Sequence, residues 1–409
     1  MSSTSGFGAL EGLRVLDFTQ ALAGPFCTQV LGDHGAEIVK IEAPDSGDFA
    51  RDSGPFHAAD VEHKQSGYFH SINRNKKSIS IDLKTAAGRE IVFKLIPQFD
   101  VVVENFRAGV MDRLGLSYET LRAHNPRLVY ATVRGFGDAR SGASPYTDWP
   151  AFDVVAQAMG GMMGITGMDP AHPVKTGPGV GDTIPALYLA FGILAAVLRA
   201  RTTGEGQFVD VAMLDAVLAV SERIVHQRSF GKITAGPEGN YHPFLVPFGV
   251  FPAKDGHVAI GCPNDAFFRE LCKGLDLLEL RDDPTVATTA DRRARRDFVN
   301  DTVSARMVEF TKAELMTRLG GKVPFGPVYT IDEIIADPHF AAREMLAEIE
   351  CPGIPEPMRI AGVPLKFSAT PGGVKHRAPD HGEHTDPVLL AAGFTADEIS
   401  AWRRNGIIH

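Results

Sequence analysis

The run Gly177-Pro178-Gly179-Val180-Gly181 ends on Asp182, and an apolar stretch, Thr183 to Leu198, follows at once. A carboxylate in that place has two uses. It can attack an acyl carbon, with the glycines letting a ligand approach the backbone and a helix start favouring the ionised form. It can also be a plain helix cap, because Asp is a preferred N-cap residue. Asp153, in AFDVVAQ, carries the same pair of readings, a working acid or a cap ahead of Val154 to Met163. Lys76, Lys77, Lys84, Arg113 and Arg134 could meet an anionic ligand, although each taken alone reads as a solvated charge. His376, His381, Glu383 and His384 crowd together near the end of the chain, but their spacing fits no metal site, so no metal is expected.

These residues need a scaffold. Leu13 to Phe18 and Ala36 to Glu42 are β-rich apolar runs flanking a helix-length segment that ends near Gly35, which reads as a βαβ unit. Strand-like Ser78 to Leu83, helical Thr85 to Gln98, and the strands Asp100 to Glu104 and Arg127 to Val133 continue the alternation. A helix over Asp182 to Arg201, a strand at Gln207 to Val211 and a helix over Leu214 to Gln227 follow. Strands alternating with helices predict a doubly wound α/β sheet. Ser229 to Pro247 is rich in Gly and Pro and reads as a boundary, and Lys254-Asp255-Gly256 reads as a hairpin turn. Residues 1–228 are therefore expected to form most of a large domain, 229–323 a smaller one, and 324–409 a return to the first.

The chain has 409 residues, 41 Lys plus Arg against 50 Asp plus Glu. The acidic balance argues against nucleic acid as a partner. Cys27, Cys262, Cys272 and Cys351 show no paired spacing, which points to a reducing, cytoplasmic setting without disulfides or structural zinc. The first residues lack a basic-then-apolar signal pattern. Thr183 to Leu198 is shorter than the roughly 20 residues that span a bilayer, so a buried core helix and no membrane are expected.

The segments LEGLRVLDFTQALAGPFCTQVLGDHGAEIVKIE, NRNKKSISIDLK, VVVENFRAGVMDRLG, RGFG, AFDVVAQAMGG, GPGVGD, VPFGPV, ADPHFAARE and GEHT occur in that order. Each is weak alone. Together they resemble the family III CoA-transferases, which also hold 2-methylacyl-CoA racemases and carnitine CoA-transferases. The resemblance implies a Rossmann-like large domain with a parallel sheet, a smaller α+β domain, and an interlocked homodimer. It implies transfer of coenzyme A from an acyl-CoA to a small carboxylic acid, through an aspartyl anhydride and an aspartyl-CoA thioester. Succinyl-CoA with a short dicarboxylate is the expected pair, and no tightly bound cofactor is implied.

The resemblance places Asp182 on the family's catalytic aspartate and Asp153 on an acidic or polar position nearby. It places Ala21, Leu22 and Ala23 where backbone meets CoA, Ile81 against adenine, and Lys84 at the nucleotide phosphate. Asn105, Phe106, Arg113 and Arg134 fall on further CoA positions. Ala43 stands where a cation often follows KIE, so one CoA contact is missing. Gly236 to Asn240 is the candidate for a loop over the active site.

Three other readings compete. A racemase needs an acid and a base on opposite faces of the α-carbon, and Phe152 stands where similar racemases carry the second base. A nicotinamide-dependent oxidoreductase could use Glu42 on a ribose, but ALAGPF is no GxGxxG. A CoA-binding protein without catalysis would have no need of Asp182 after the glycine run.

Overall fold

Strands buried on both faces of a parallel sheet are mostly apolar, as the runs Leu13 to Phe18, Asp100 to Glu104 and Arg127 to Val133 are, whereas the strand expected from Ser78 starts at Lys76 and reads KKSIS. β1 (Arg14–Asp17), β2 (Glu37–Glu42), β3 (Lys76–Ser80), β4 (Val101–Glu104), β5 (Val129–Arg134) and β6 (Phe208–Ala212) form one sheet. Its order is β3-β2-β1-β4-β5-β6, parallel at every pair. Alternate residues feed two cores. Leu16, Phe18, Val39, Ile41 and Ile79 face one. Leu13, Val15, Ile38, Val101 and Val103 face the other. The order reverses between β1 and β4, and ligands of such sheets sit at the strand carboxyl ends beside that reversal.

The computed structural model describes residues 7–409. The chain divides into two units. The larger takes the chain up to Met162, Thr176–Glu222 and Pro338–His409, and the smaller takes Met163–Lys175 and Arg223–Asp337. The sequence put the smaller unit at 229–323. It extends to Asp337 because β9 (Phe325–Pro327) pairs antiparallel with β8 (Gly256–Gly261), which itself pairs with β7 (Phe248–Ala253). Phe251, Val258, Ile260, Phe268 and Leu271 form the core of that unit. The Gly236–Asn240 segment is tied within it. Gly239 N–H donates to Gly167 O at 3.0 Å, and Glu238 pairs with Arg296 at 3.0 Å.

Two expected helices differ. The segment Leu214 to Gln227 is two helices, Met213–Val220 and Ile224–Ser229. The Ser221 hydroxyl donates back to Val217 O at 2.9 Å, a bond that competes with helix continuation. The apolar helix runs the 24 residues Val180–Thr203 and stops at Gly204, which takes a left-handed φ of 77°. By length and composition it is the one described helix able to cross a membrane, contrary to the shorter estimate. Its buried face, with Ala186, Leu189, Ile193, Ala196 and Val197, packs in the second core of the sheet. Ile193 is fully buried there. Ile193→Ala is expected to destabilise the large unit by about 2–5 kcal/mol. Its melting temperature checks this, and an unchanged value would contradict the packing.

Candidate active site

Asp182 is the third residue of the Val180–Thr203 helix, whose cap position is Gly179. It is therefore no N-cap. Asp153 is the first residue of the helix Asp153–Met159, capped by Phe152. The two helix starts meet. Asp153 Oδ1 accepts from Gly181 N–H and from Gln157 Nε2, both at 2.8 Å. A Cβ on Gly181 would lie 2.5 Å from Asp153 O, and one on Gly179 would lie 3.0 Å from the Leu22 side chain. Gly181 is thus required by the close approach of the two helix backbones, and Gly179 by the packing of the Leu22 side chain.

That approach sets the charge state of Asp182. Burial pushes its carboxyl up to about 7, and the like charge of Asp153 adds to the push. The expected helix-start preference for the ionised form is outweighed, because water is removed and a second carboxylate stands close. A carboxyl poised near neutrality is common at catalytic sites.

Asp182 lines a cavity of about 220 Å³ with Gln20, Ala21, Ala23, Asn105, Phe106 and Arg134. A second cavity, of about 360 Å³, is lined by Ile81, Lys84, Leu83 and Ala43. Gln20 and Phe106 line both, so the two meet at the carboxyl ends of β1 and β4. Leu22 precedes the helix Ala23–Gly32 and packs with Phe26 and Tyr68. Arg113 is exposed at the end of the short helix Val110–Arg113, outside the lining of either cavity.

Two expected ligand groups are already engaged. The Asn105 amide accepts from Gln20 N–H at 2.8 Å and donates to Gln20 O at 2.7 Å, bridging the loops after β1 and β4. Arg134 donates to Phe106 O at 3.1 Å and pairs with Glu104 and Asp138. Both side chains shape the loop backbone as well as line the cavity.

Sequence reasoning passed over three residues. Gln20 lies beside the Ala21 to Ala23 run and lines both cavities. Arg107, exposed, directly follows the Asn105-Phe106 pair and lines the Asp182 cavity. Tyr68 has its hydroxyl pushed up to about 12, by burial first and then by the charges of Asp182 and Asp48. Only chain adjacency could have flagged the first two, and no motif marks Tyr68. The histidine cluster is polar scaffolding. Glu383 accepts from Asp380 N–H at 2.7 Å, and His381 stacks on His409 with ring centroids 5.6 Å apart. Among the described residues, no group of three or more His, Cys, Asp or Glu side chains is placed to hold a metal ion. Thr385 is the first residue of the helix Thr385–Ala391. Its hydroxyl donates to Gly382 O at 2.8 Å and accepts from Ser80 N–H at 3.1 Å.

The Asp182 carboxyl lies in a cleft at the reversal point of a doubly wound sheet, where ligands of such sheets bind. The chain belongs to CoA-transferase family III, whose model matches residues 10–385. It is 44% identical to a succinyl-CoA:mesaconate CoA-transferase of Haloarcula marismortui, over 94% of this chain and 97% of that one. A succinate–glutarate CoA-transferase of Agrobacterium fabrum is 36% identical over 93% and 94%. A CaiB/BaiF family protein from Brucella suis superposes with a TM-score of 0.82 at 34% identity, covering 94% of this chain and all of that one. The protein is a CoA-transferase, and the nicotinamide reading falls away.

The pH dependence of stability tests the Asp182 environment. Its pKa is raised from 3.8 to about 7 on folding. The folded state therefore binds the proton more tightly, and stability falls as pH rises between those values. Asp182→Asn should raise the melting temperature above about pH 7 and leave it unchanged below the unfolded pKa. A gain of equal size at both ends of that range would contradict the assignment.

Proposed function

We propose that the protein transfers CoA from succinyl-CoA to a short dicarboxylic acid, with Asp182 as the nucleophile. One observation carries the reading: a carboxylate poised near neutrality lines the cavity that meets the Ile81–Lys84 cavity. Asp182 is ionised in about half the molecules near neutral pH, and desolvation leaves the ionised form reactive. Its oxygen attacks the thioester carbonyl. The C–S bond breaks, giving a succinyl-aspartyl anhydride and CoA thiolate. The thiolate then attacks the aspartyl carbonyl. The anhydride C–O bond breaks, succinate leaves, and an aspartyl-CoA thioester remains. The acceptor carboxylate attacks that thioester and expels the thiolate, forming a second anhydride. The thiolate attacks the acceptor's acyl carbon, releasing the new acyl-CoA and the Asp182 carboxylate. Every step exchanges one acyl bond for another, so no outside reactant is required.

The dicarboxylate assignment rests on relatives that act from succinyl-CoA on mesaconate and between succinate and glutarate. In this reading Lys84 and Ile81, which line the second cavity, hold the nucleotide end, with Ala21 to Ala23 along the thioester arm. Arg113 is the weaker of the proposed phosphate contacts, given its place outside both cavities. The racemase alternative lacks a partner base at Phe152, whose ring has no titratable group yet lines the Asp182 cavity. The four cysteines are buried and unpaired, which supports a cytoplasmic setting.

A homodimer fits the exposed stripe Leu187, Phe191, Leu194 and Leu198 along the Val180–Thr203 helix. Apolar positions repeating at helical spacing on a surface mark an interface. The same stripe is read here as protein-facing rather than lipid-facing, because the opposite face is packed into the sheet. Sedimentation should give a dimer, and Phe191→Glu should weaken it. A wild-type monomer would contradict this.

Incubation with succinyl-CoA and hydroxylamine trapping should mark the peptide containing Asp182, as read by mass spectrometry. Asp182→Ala should abolish the mark and lower kcat by roughly a thousandfold or more. Equal labelling of wild type and variant would overturn the mechanism.

A further inference from the structure

Beneath the cavity lies a group of buried charges that the chemistry above does not use. Lys40 and Asp17 are cross-strand neighbours on β2 and β1, and both side chains are fully buried. The Lys40 ammonium donates to Thr19 O at 2.5 Å. It also lies 2.9 Å from Asp48 Oδ2, an ion-pair distance with an angle outside hydrogen-bond geometry. Asp48 Oδ1 accepts from Ala21 N–H at 3.1 Å and from Ala50 N–H at 3.0 Å. Asp17 Oδ1 accepts from Thr19 N–H at 2.8 Å. With the Asn105 amide on Gln20, side chains hold the backbone of three successive residues.

What they hold is strained. Ala21 has a φ of 65°, a left-handed conformation that non-glycine residues rarely adopt. Such a conformation persists only where the surroundings over-determine it. Here the surroundings are charges placed inside the sheet. Burial alone would push the Lys40 ammonium down, but Asp48, Asp17 and Glu42 hold it above its ordinary range. It therefore stays a cation and a donor. Replacing a whole buried ion pair by hydrophobic residues is often neutral or stabilising. Desolvating so many charges gives little net stability, so stability alone does not explain them.

We propose that Lys40, acting with Asp48, is a positioning residue for CoA transfer, setting the Thr19–Ala21 backbone against which the thioester lies in front of Asp182. The inference rests on Asp182 being the nucleophile. Lys40 touches no substrate. It acts through Thr19 O and through the carboxylate that carries the Ala21 amide.

The test is a split of kinetic parameters together with Asp182 labelling. Lys40→Met leaves Asp48 unpaired and can fail to fold. Lys40→Met/Asp48→Asn removes both charges and keeps an acceptor at position 48. In the double variant kcat should fall about 10- to 100-fold, because displacement of a reacting group by about 1 Å has that effect. KM for succinyl-CoA should stay within about threefold, since the nucleotide end is held elsewhere. The rate of Asp182 labelling should fall with kcat. A purely structural role would lower the melting temperature and leave kcat per folded molecule unchanged, and that result overturns the proposal. Labelling of wild type separates the two ideas. No Asp182 adduct in wild type defeats the nucleophile reading itself, whereas an adduct formed equally fast in wild type and double variant defeats only the role of Lys40. One measurement needs no variant. In the wild-type protein, the Ala21 amide should exchange its hydrogen as slowly as the β1 amides. Exchange at the rate of an exposed loop would overturn the proposal.

Discussion

Two carboxylates compete for one small, dry volume where two helices begin, and much of this molecule exists to make them stay there. The two helix starts could not approach each other with a side chain at 181, where a Cβ would lie 2.5 Å from Asp153 O. Asp153 is satisfied by Gly181 N–H and Gln157. Asp182 is left with burial and a like charge, and its proton affinity rises toward neutrality. In the proposed mechanism the cost of removing that charge from water becomes nucleophilicity.

The sheet supplies the other half of the site. Toward their carboxyl ends its strands carry buried charges: Asp17, Lys40, Glu42 and Glu104. Each of these ties down a loop. Glu42 holds Asp48 N–H at 3.0 Å and pairs with Arg51 at 2.7 Å, which keeps its carboxyl at about 2 against the opposing effect of burial. Glu104 takes Phe106 N–H at 2.8 Å. The loops after β1 and β4 are then joined by the paired amides of Gln20 and Asn105. A pocket made of loops is in this way as fixed as one made of strands, which is what the proposed passage through a water-sensitive anhydride needs.

The strands, their parallel arrangement and the position of Asp182 were legible in the sequence, because period and glycine punctuation report local backbone. The internal bonds of Asn105 and Arg134 were not. The resemblance puts both at CoA positions, and their polar atoms also bond neighbouring backbone and carboxylates. Nothing in spacing tells which way an amide points. Lys40 was equally hidden. In KIE it looks like an ordinary strand lysine on a polar face, and only the register with Asp17 reveals a buried cation. The extent of the smaller unit was missed for a related reason, since β9 joins it through pairing with a strand more than sixty residues earlier.

Tracing oxygen tests the central claim most directly. The acceptor acid is supplied with a heavy oxygen isotope in its carboxylates, and the enzyme is digested after many turnovers. If acyl groups pass through Asp182, each cycle removes one oxygen from that side chain and returns one from the acceptor. The peptide containing Asp182 must then gain mass, and no other peptide should. Continued product formation with an unlabelled Asp182 would mean that the acceptor attacks the donor thioester directly, and the covalent account would be wrong.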